Sequence, residues 1–371
     1  MKGLFVWADS YCRSTLAFYQ GLGQAFGAPL KVVVLRMDNP LRRATGFSDT
    51  EFRGMSLLPV PRTWDDALEL LCQHAGWNHL FCAYQSVPLY RRLLSEASQR
   101  GYAVGIGSEA PCNMAPGWKH FLKAAYIRFV LPYKVRKSVR AADFILNYSG
   151  DSADDLAAIG WPRERIIPCG YYPPPLQGGR CVRRTRKHWR HFSILLTGKH
   201  ELHRSPMLLL HALGELKEQG LVPECYITQE GPLLQQMKTY ASVHGLANVH
   251  FLGLVSLERL RELYENCSLY VGTGNREPWG MRLNDALQSG APLLVNEGMG
   301  GKKMVEELGC GLVFKHRDAH SLATCVKRLM EDQRLYLGVA RQAYMARQVI
   351  SPAVKAKEMA DQIRRQCPAW H

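Results

Sequence analysis

Two acids stand eight residues apart in "NREPWGMRLNDAL", residues 275–287, with Glu277 before a Pro-Trp-Gly turn and Asp285 after it. The apolar, β-rich "CSLYVGTG" that precedes this stretch predicts a strand running out into a loop. After Gly280 the spacing of Met281, Leu283 and Leu287 predicts a helix. Glu277 then lies in the loop and Asp285 about a turn and a half into the helix. Both face the carboxyl end of the strand, where open α/β sheets bind ligands. Upstream, "KHELHRSP" (199–206) places Lys199 and Arg204 ahead of a helix, a pattern that suits an anion as well as it suits a plain surface loop. "TQEGP" (228–232) is another strand-to-helix turn, built on Gly231 and Pro232. "NEGMGGKKMVEE" (296–307) offers Gly298, Gly300 and Gly301 at a helix mouth, for close approach of amides to a phosphate or for a flexible turn. His200 and His203 flank the cation pair and, without further ligands, read as polar loop residues.

These loops need a frame, and the chain supplies one twice. "GLFVW" (3–7), "KVVVLR" (31–36), "HLFCAY" (79–84), "YAVGI" (102–106) and "DFILN" (143–147) read as strands, with helical patterns at 13–26, 64–74 and 88–99 between them. The segment 171–191, rich in Pro, Gly and base, has the composition of a linker. Alternation then restarts with strands at 192–198, 224–228, 248–253, 268–272, 291–295 and 311–314, and helices at 205–219, 232–244, 256–266, 280–289 and 301–308. The expected fold is α/β, two Rossmann-like doubly wound domains facing a central cleft. The expected boundaries are 1–173, a basic linker 174–191, 192–350, and a C-terminal helix within 351–371 returning toward the first domain.

Composition narrows the class. The chain has 371 residues, 47% of them hydrophobic, and no uninterrupted apolar run of membrane-spanning length. Eleven cysteines, scattered and never spaced Cys-x-x-Cys, argue for reduced thiols in a cytoplasmic protein and against a zinc site. The net charge of +15 is concentrated. Lys119, Lys123, Arg128, Lys134, Arg136, Lys137 and Arg140 crowd one acid-free segment, and six more bases crowd 180–190. In the first segment Phe121, Leu122 and Phe129 interleave with the bases, which suits either an anionic membrane surface or a solvated helix face. No nucleic-acid motif accompanies the charge.

In order and spacing, "GKHELHRS" (198–205), "QEGP" (229–232), "FLG" (251–253) and "EPWGMRLND" (277–285) resemble the donor half of retaining glycosyltransferase family 4, which has the GT-B arrangement. The family commonly shows Gly-Arg-x4-Lys-Gly, Gly-x-Gly-Pro, a "FLG" strand end and E-x7-E. Here the cation pair is exchanged, the second acid is Asp285, and Gln229 replaces the first glycine. The family's histidine after the fourth strand is missing; Ser108 and Glu109 of "GIGSEAP" stand there, and "ADSYCRST" lacks the usual glycine pair.

The resemblance implies transfer of a hexosyl residue, with retention, from a nucleoside diphosphate sugar (UDP favoured over GDP) to a saccharide acceptor. A lipid-linked acceptor in bacterial surface polysaccharide assembly (O-antigen, capsule or lipopolysaccharide) is expected. Lys199 and Arg204 would hold the diphosphate, with amides at Gly198, Gly231, Gly253, Gly280, Met281, Arg282, Gly298, Gly300 and Gly301. Asp285 would take the ribose and Glu277 the donor sugar. Glu109, Ser108, Asp9 and Ser10 are the acceptor-side candidates, and Tyr171 and Tyr172 receive no chemistry. No Asp-x-Asp occurs, so neither a metal nor another cofactor is expected. The enzyme would lie on the cytoplasmic face of the inner membrane, held by Lys119, Lys123, Lys134, Arg136, Lys137 and Arg140, with no nucleic-acid partner. A sugar-nucleotide epimerase or hydrolase of the same fold, and a non-catalytic nucleotide- or nucleic-acid-binding protein, are the competing readings.

Overall fold

The computed structural model describes residues 2–10, 13–36, 56–58, 61–112, 118–150 and 152–370. The chain divides into two compact units, one of 1–43, 48–173 and 351–371, the other of 44–47 and 174–350. In the first, seven parallel strands follow the order β3-β2-β1-β4-β5-β6-β7. They are β1 Leu4–Ser10, β2 Leu30–Arg36, β3 Ser56–Leu58, β4 Asn78–Cys82, β5 Val104–Ser108, β6 Phe144–Asn147 and β7 Ile166–Pro168. Central strands β4, β5 and β6 are buried from end to end, as expected where helices cover both faces of a parallel sheet. β3 and β7 are edge strands of three residues each, too short to show a period in sequence.

The C-terminal helix Pro352–Gln366 packs on helix Arg13–Phe26 of this unit. Gly21 permits the approach, because a Cβ there would meet Ala356 Cβ at 2.7 Å. Arg364 donates to the Ala25 carbonyl at 2.9 Å, and the Trp370 indole N–H reaches Asp143 Oδ2 at 3.0 Å.

The second unit holds six parallel strands in the order β10-β9-β8-β11-β12-β13. Their ranges are β8 Ser193–Leu196, β9 Glu224–Thr228, β10 Val249–Gly253, β11 Leu269–Gly272, β12 Leu293–Asn296 and β13 Gly311–Phe314. The strand order reverses between β8 and β11, so a ligand crevice is expected at their carboxyl ends. Two amphipathic helices that the sequence reading left unassigned, Ala319–Glu331 and Gln333–Val349, complete the core.

The expected linker is part of this unit. Arg184 is only 2% exposed, and its guanidinium donates to Cys267 O at 2.8 Å, Ser289 O at 2.8 Å, Val182 O at 2.6 Å and Tyr264 O. The Tyr264, Cys267 and Ser289 carbonyls end helices Leu257–Asn266 and Met281–Gln288, where the last C=O groups lack helical partners and a cation is favoured. Arg180 likewise engages the buried carboxylate of Glu265. Composition alone could not separate a loose basic segment from one whose bases cap helices.

Arg184→Met should therefore destabilise the second unit by about 3 kcal/mol or more, by leaving buried carbonyls unpaired. Urea unfolding followed by circular dichroism measures it; a loss under about 1 kcal/mol would reject the clamp.

Candidate functional site

A recess opens where β8 and β11 run out, lined by Lys199, Arg204, Glu277, Gly280, Arg282 and Met299 among others. The loop after β8 is tied to the loop after β11: Thr273 Oγ1 donates to Arg204 O at 2.6 Å, and Asn275 N to His203 O at 2.7 Å. Arg204 Nη2 lies 3.5 Å from Glu277 Oε1, and its Nε is buried without a protein partner among the described residues. The Glu277 carboxylate folds over Gly274, where a Cβ would stand 2.6 Å from Oε2. Lys199 is exposed at the rim. The two predicted cations and the first predicted acid thus share one recess.

His200 has a structural task. It is 1% exposed, its Nε2 lies 3.1 Å from Gln229 O, and its main chain bonds Glu230 O and Leu233 N. Burial, first of all, and then Arg204 lower its pKa, against a bond to Gln229 that raises it. Gly231 passes directly over the His200 main chain, so a side chain at 231 would collide with it. Gln229, in place of the family's glycine, adopts φ +78° and is held by donating from its amide to Gly253 O at 2.6 Å. Gly231 and Gly253 therefore shape this turn.

The glycines after β12 differ from expectation. Gly298 N is taken by Asn296 Oδ1 at 2.8 Å, Gly300 N by Glu277 O at 3.0 Å and Gly301 N by Trp279 O at 3.0 Å. The Gly300 and Gly301 amides hold the 277–279 turn, and the Gly298 amide closes its own loop on Asn296. A Cβ at Gly301 would meet Leu283 Cδ1 and Trp279 O, both at 2.8 Å, so the glycines serve close packing of two loops. Gly280 caps helix Met281–Gln288 at φ +92°, a left-handed conformation that suits glycine. The Trp279 indole donates to Asn284 Oδ1 at 2.8 Å and fixes the turn.

Asp285 lies one turn into that helix, partly exposed, with Arg282 and Tyr264 close enough to interact electrostatically. Arg282, expected to contribute its amide, lines the recess with its side chain. The spacing of Arg282 and Asp285 on one helix was a usable signal. Nothing in the sequence marked Tyr264 or Tyr270.

In the first unit Asp9 lies near the end of β1 and Ser108 ends β5. The Glu109 carboxylate accepts from the Tyr171 hydroxyl at 3.0 Å, and its main-chain carbonyl from Gln85 Nε2 at 3.0 Å. Tyr171, to which sequence assigned nothing, positions this acid. The Ser10 side chain lies outside the described residues. Beneath, Cys82 Sγ and the Tyr19 hydroxyl are 2.9 Å apart, and burial pushes the thiol up to about 12, leaving it protonated. Among the described residues no cluster of three or more His, Cys, Asp or Glu is placed to hold a metal.

The six membrane-facing candidates lie at 119–140. Helix Lys119–Ala125 and the π-helical turn Tyr126–Val130 bury none of their residues. Trp118, Phe121, Phe129 and Tyr133 are 68, 76, 71 and 69% exposed. The π turn precedes Pro132, which has no N–H to give, and the Leu131 amide bonds back to Tyr126 O. Helix Leu131–Ala141 buries Leu131, Val135, Ser138 and Val139 and leaves Lys134, Arg136, Lys137 and Arg140 in solvent.

Two Rossmann-like parallel-sheet units in one chain define the GT-B class of fold. Solved structures agree: Anabaena HepE in complex with UDP superposes with a TM-score of 0.70 at 14% identity, over 98% of this chain and 100% of that one. The HepE complex with UDP-glucose gives 0.67 at 13% identity, over 98% and 100%. The apo lipopolysaccharide outer core galactosyltransferase WaaB gives 0.67 at 11% identity, over 99% and 100%. No curated protein matches the chain. Residues 190–346 match the model of the family described as glycosyl transferases group 1.

Because its Cβ would strike a carbonyl and a core leucine, Gly301→Ala should lower stability by about 1–3 kcal/mol. If the glycine instead stood open for a phosphate, denaturant midpoints of wild type and mutant would coincide.

Proposed function

We propose that the protein is a retaining, metal-independent hexosyltransferase that uses a nucleoside diphosphate sugar. UDP is favoured over GDP, and the acceptor is a lipid-linked glycan in lipopolysaccharide, capsule or O-antigen assembly. The observation that carries this reading is the recess at the β8–β11 switch point, where Lys199, Arg204 and Glu277 converge. Similarity of fold to HepE, solved with UDP and with UDP-glucose, supports the nucleotide.

On this reading Lys199 and Arg204 hold the diphosphate and stabilise the negative charge it gains as the bond to the sugar breaks. Glu277 releases part of its hold on Arg204 and accepts from donor-sugar hydroxyls, while Asp285 accepts from the ribose. The acceptor hydroxyl attacks from the face the diphosphate leaves, which retains configuration. Glu109, steadied by Tyr171, is the acceptor-side candidate.

The surface at 118–140 supports a membrane location. A helical segment whose first two elements bury none of their residues, and which exposes four aromatic rings and several bases along 118–140, suits the interface of an anionic bilayer. The 180–190 bases are a poorer part of such a face, since Arg184 is buried and Arg180 paired. Peripheral attachment at the cytoplasmic side of the inner membrane would bring the enzyme to its lipid-linked acceptor.

Glu277→Ala should retain the fold and lose roughly a hundredfold or more in turnover, about 3 kcal/mol of transition-state stabilisation. Asp285→Ala should mainly weaken nucleoside diphosphate binding. Turnover of Glu277→Ala near wild type in a coupled nucleotide-release assay would overturn the assignment.

Sedimentation with vesicles tests the location. Binding should be strong on anionic lipid, weak on neutral lipid and reduced by salt, because the attraction is screened over roughly 8–10 Å. Exchanging Lys134, Arg136, Lys137 and Arg140 for Ser should release the protein without changing nucleotide affinity. Equal recovery on both lipids would reject the membrane reading.

A further inference from the structure

The recess contains a third cation. Arg282 sits in the first turn of helix Met281–Gln288, and its side chain runs back over Gly198 at the end of β8. A Cβ built on Gly198 would lie 2.9 Å from Arg204 Nη1 and 3.6 Å from Arg282 Nε. Two arginine side chains thus converge on one glycine, which has φ +120° and no side chain to part them. Like charges brought together in a protein repel unless something between them carries the opposite sign.

What surrounds Arg282 is mostly neutral. The buried phenols of Tyr264 and Tyr270 lie beneath it, joined through Thr197 Oγ1 at 3.0 and 3.2 Å. Tyr264 lies close enough to the guanidinium to interact with it, and Asp285 stands one turn further along the helix. Burial works against its charge, yet Tyr264, Tyr270 and Asp285 together keep the pKa above the ordinary arginine value. The group is charged and held in place.

Among the residues that line the recess, Lys199, Arg204 and Arg282 are positive and Glu277 is negative, while Asp285, beside Arg282, lies outside the lining. The excess of two positive charges equals the charge of a diphosphate diester, the linkage that joins a nucleoside to a sugar. With Lys199 and Arg204 alone, Glu277 would leave a single positive charge for a doubly negative ligand. The orphaned Nε of Arg204 also points to a hydrogen-bond acceptor that the protein does not supply.

We propose that Arg282 is a third diphosphate-binding residue that matches the recess to two phosphate charges and selects nucleoside diphosphates over monophosphates. Tyr264, linked to Tyr270 through Thr197, is its positioning residue. This inference rests on the nucleotide-sugar reading above and adds to it a specificity-determining side chain.

Isothermal titration in the presence of a chelator, with UDP, GDP, UMP, GMP and the free nucleosides as probes, tests it. For the base that binds, Arg282→Met should weaken the diphosphate by about 10–100-fold, the monophosphate by only a few-fold and the nucleoside by less than about twofold. Arg282→Lys should recover part of the loss. Tyr264→Phe should weaken the diphosphate by several-fold while leaving the nucleoside unchanged. Equal loss across the three probes, or no loss with the diphosphate, would overturn the inference. If wild-type protein binds neither diphosphate, the nucleotide-sugar reading fails first. Tight wild-type binding that Arg282→Met leaves intact sinks the role of Arg282 alone.

Discussion

The architecture of the second unit depends on a buried cation. Arg184 puts its guanidinium among carbonyls at the ends of helices Leu257–Asn266 and Met281–Gln288. The first helix carries Tyr264 and the second carries Arg282 and Asp285, so one side chain ties together both helices that flank the recess. Guanidinium is the one side chain with enough donors in a plane to satisfy several carbonyls at once. Because each carbonyl is buried, the arrangement has no half-made form: losing the donor strands several acceptors together.

The recess is built the same way, by loops that satisfy one another's backbone. The β8 loop is held by Thr273 and Asn275 on one side and by the His200 main chain on the other. The 277–279 turn is held by Gly300 and Gly301 amides. Such mutual pinning leaves the side chains of Lys199, Arg204, Glu277 and Arg282 to face the recess on a rigid frame. Preorganised charge of this kind is most effective in electrostatic catalysis, because little reorganisation remains when a ligand arrives.

Charge is thus used in two distinct ways in this chain. At 118–140 it is exposed, mixed with aromatic rings and sensitive to salt. In the second unit it is drawn inward, to cap helices at Arg184 and to converge over Gly198 at Arg204 and Arg282. Net charge could not distinguish them, since a lysine or arginine counts equally in both.

Periodicity was enough to read most of the two sheets, because buried parallel strands are continuous apolar runs and their crossover helices are amphipathic. The loops that line the recess were legible too: a strand end followed by Lys199 and Arg204, or by Glu277 and Asp285, places charge at the carboxyl edge whatever the details of packing. Three-residue strands β3 and β7 were not, since pairing with a neighbour defines them and composition does not. Tertiary structure decided what each group in the loops touches. It gave the glycines at 298–301 to packing, sank His200 under the β9 turn, and made Arg184 of the basic segment a clamp. It also brought Arg282 beside Arg204, although 78 positions separate them. Such contacts join residues far apart in the chain, and only the assembled sheet brings their donors and acceptors within bonding distance.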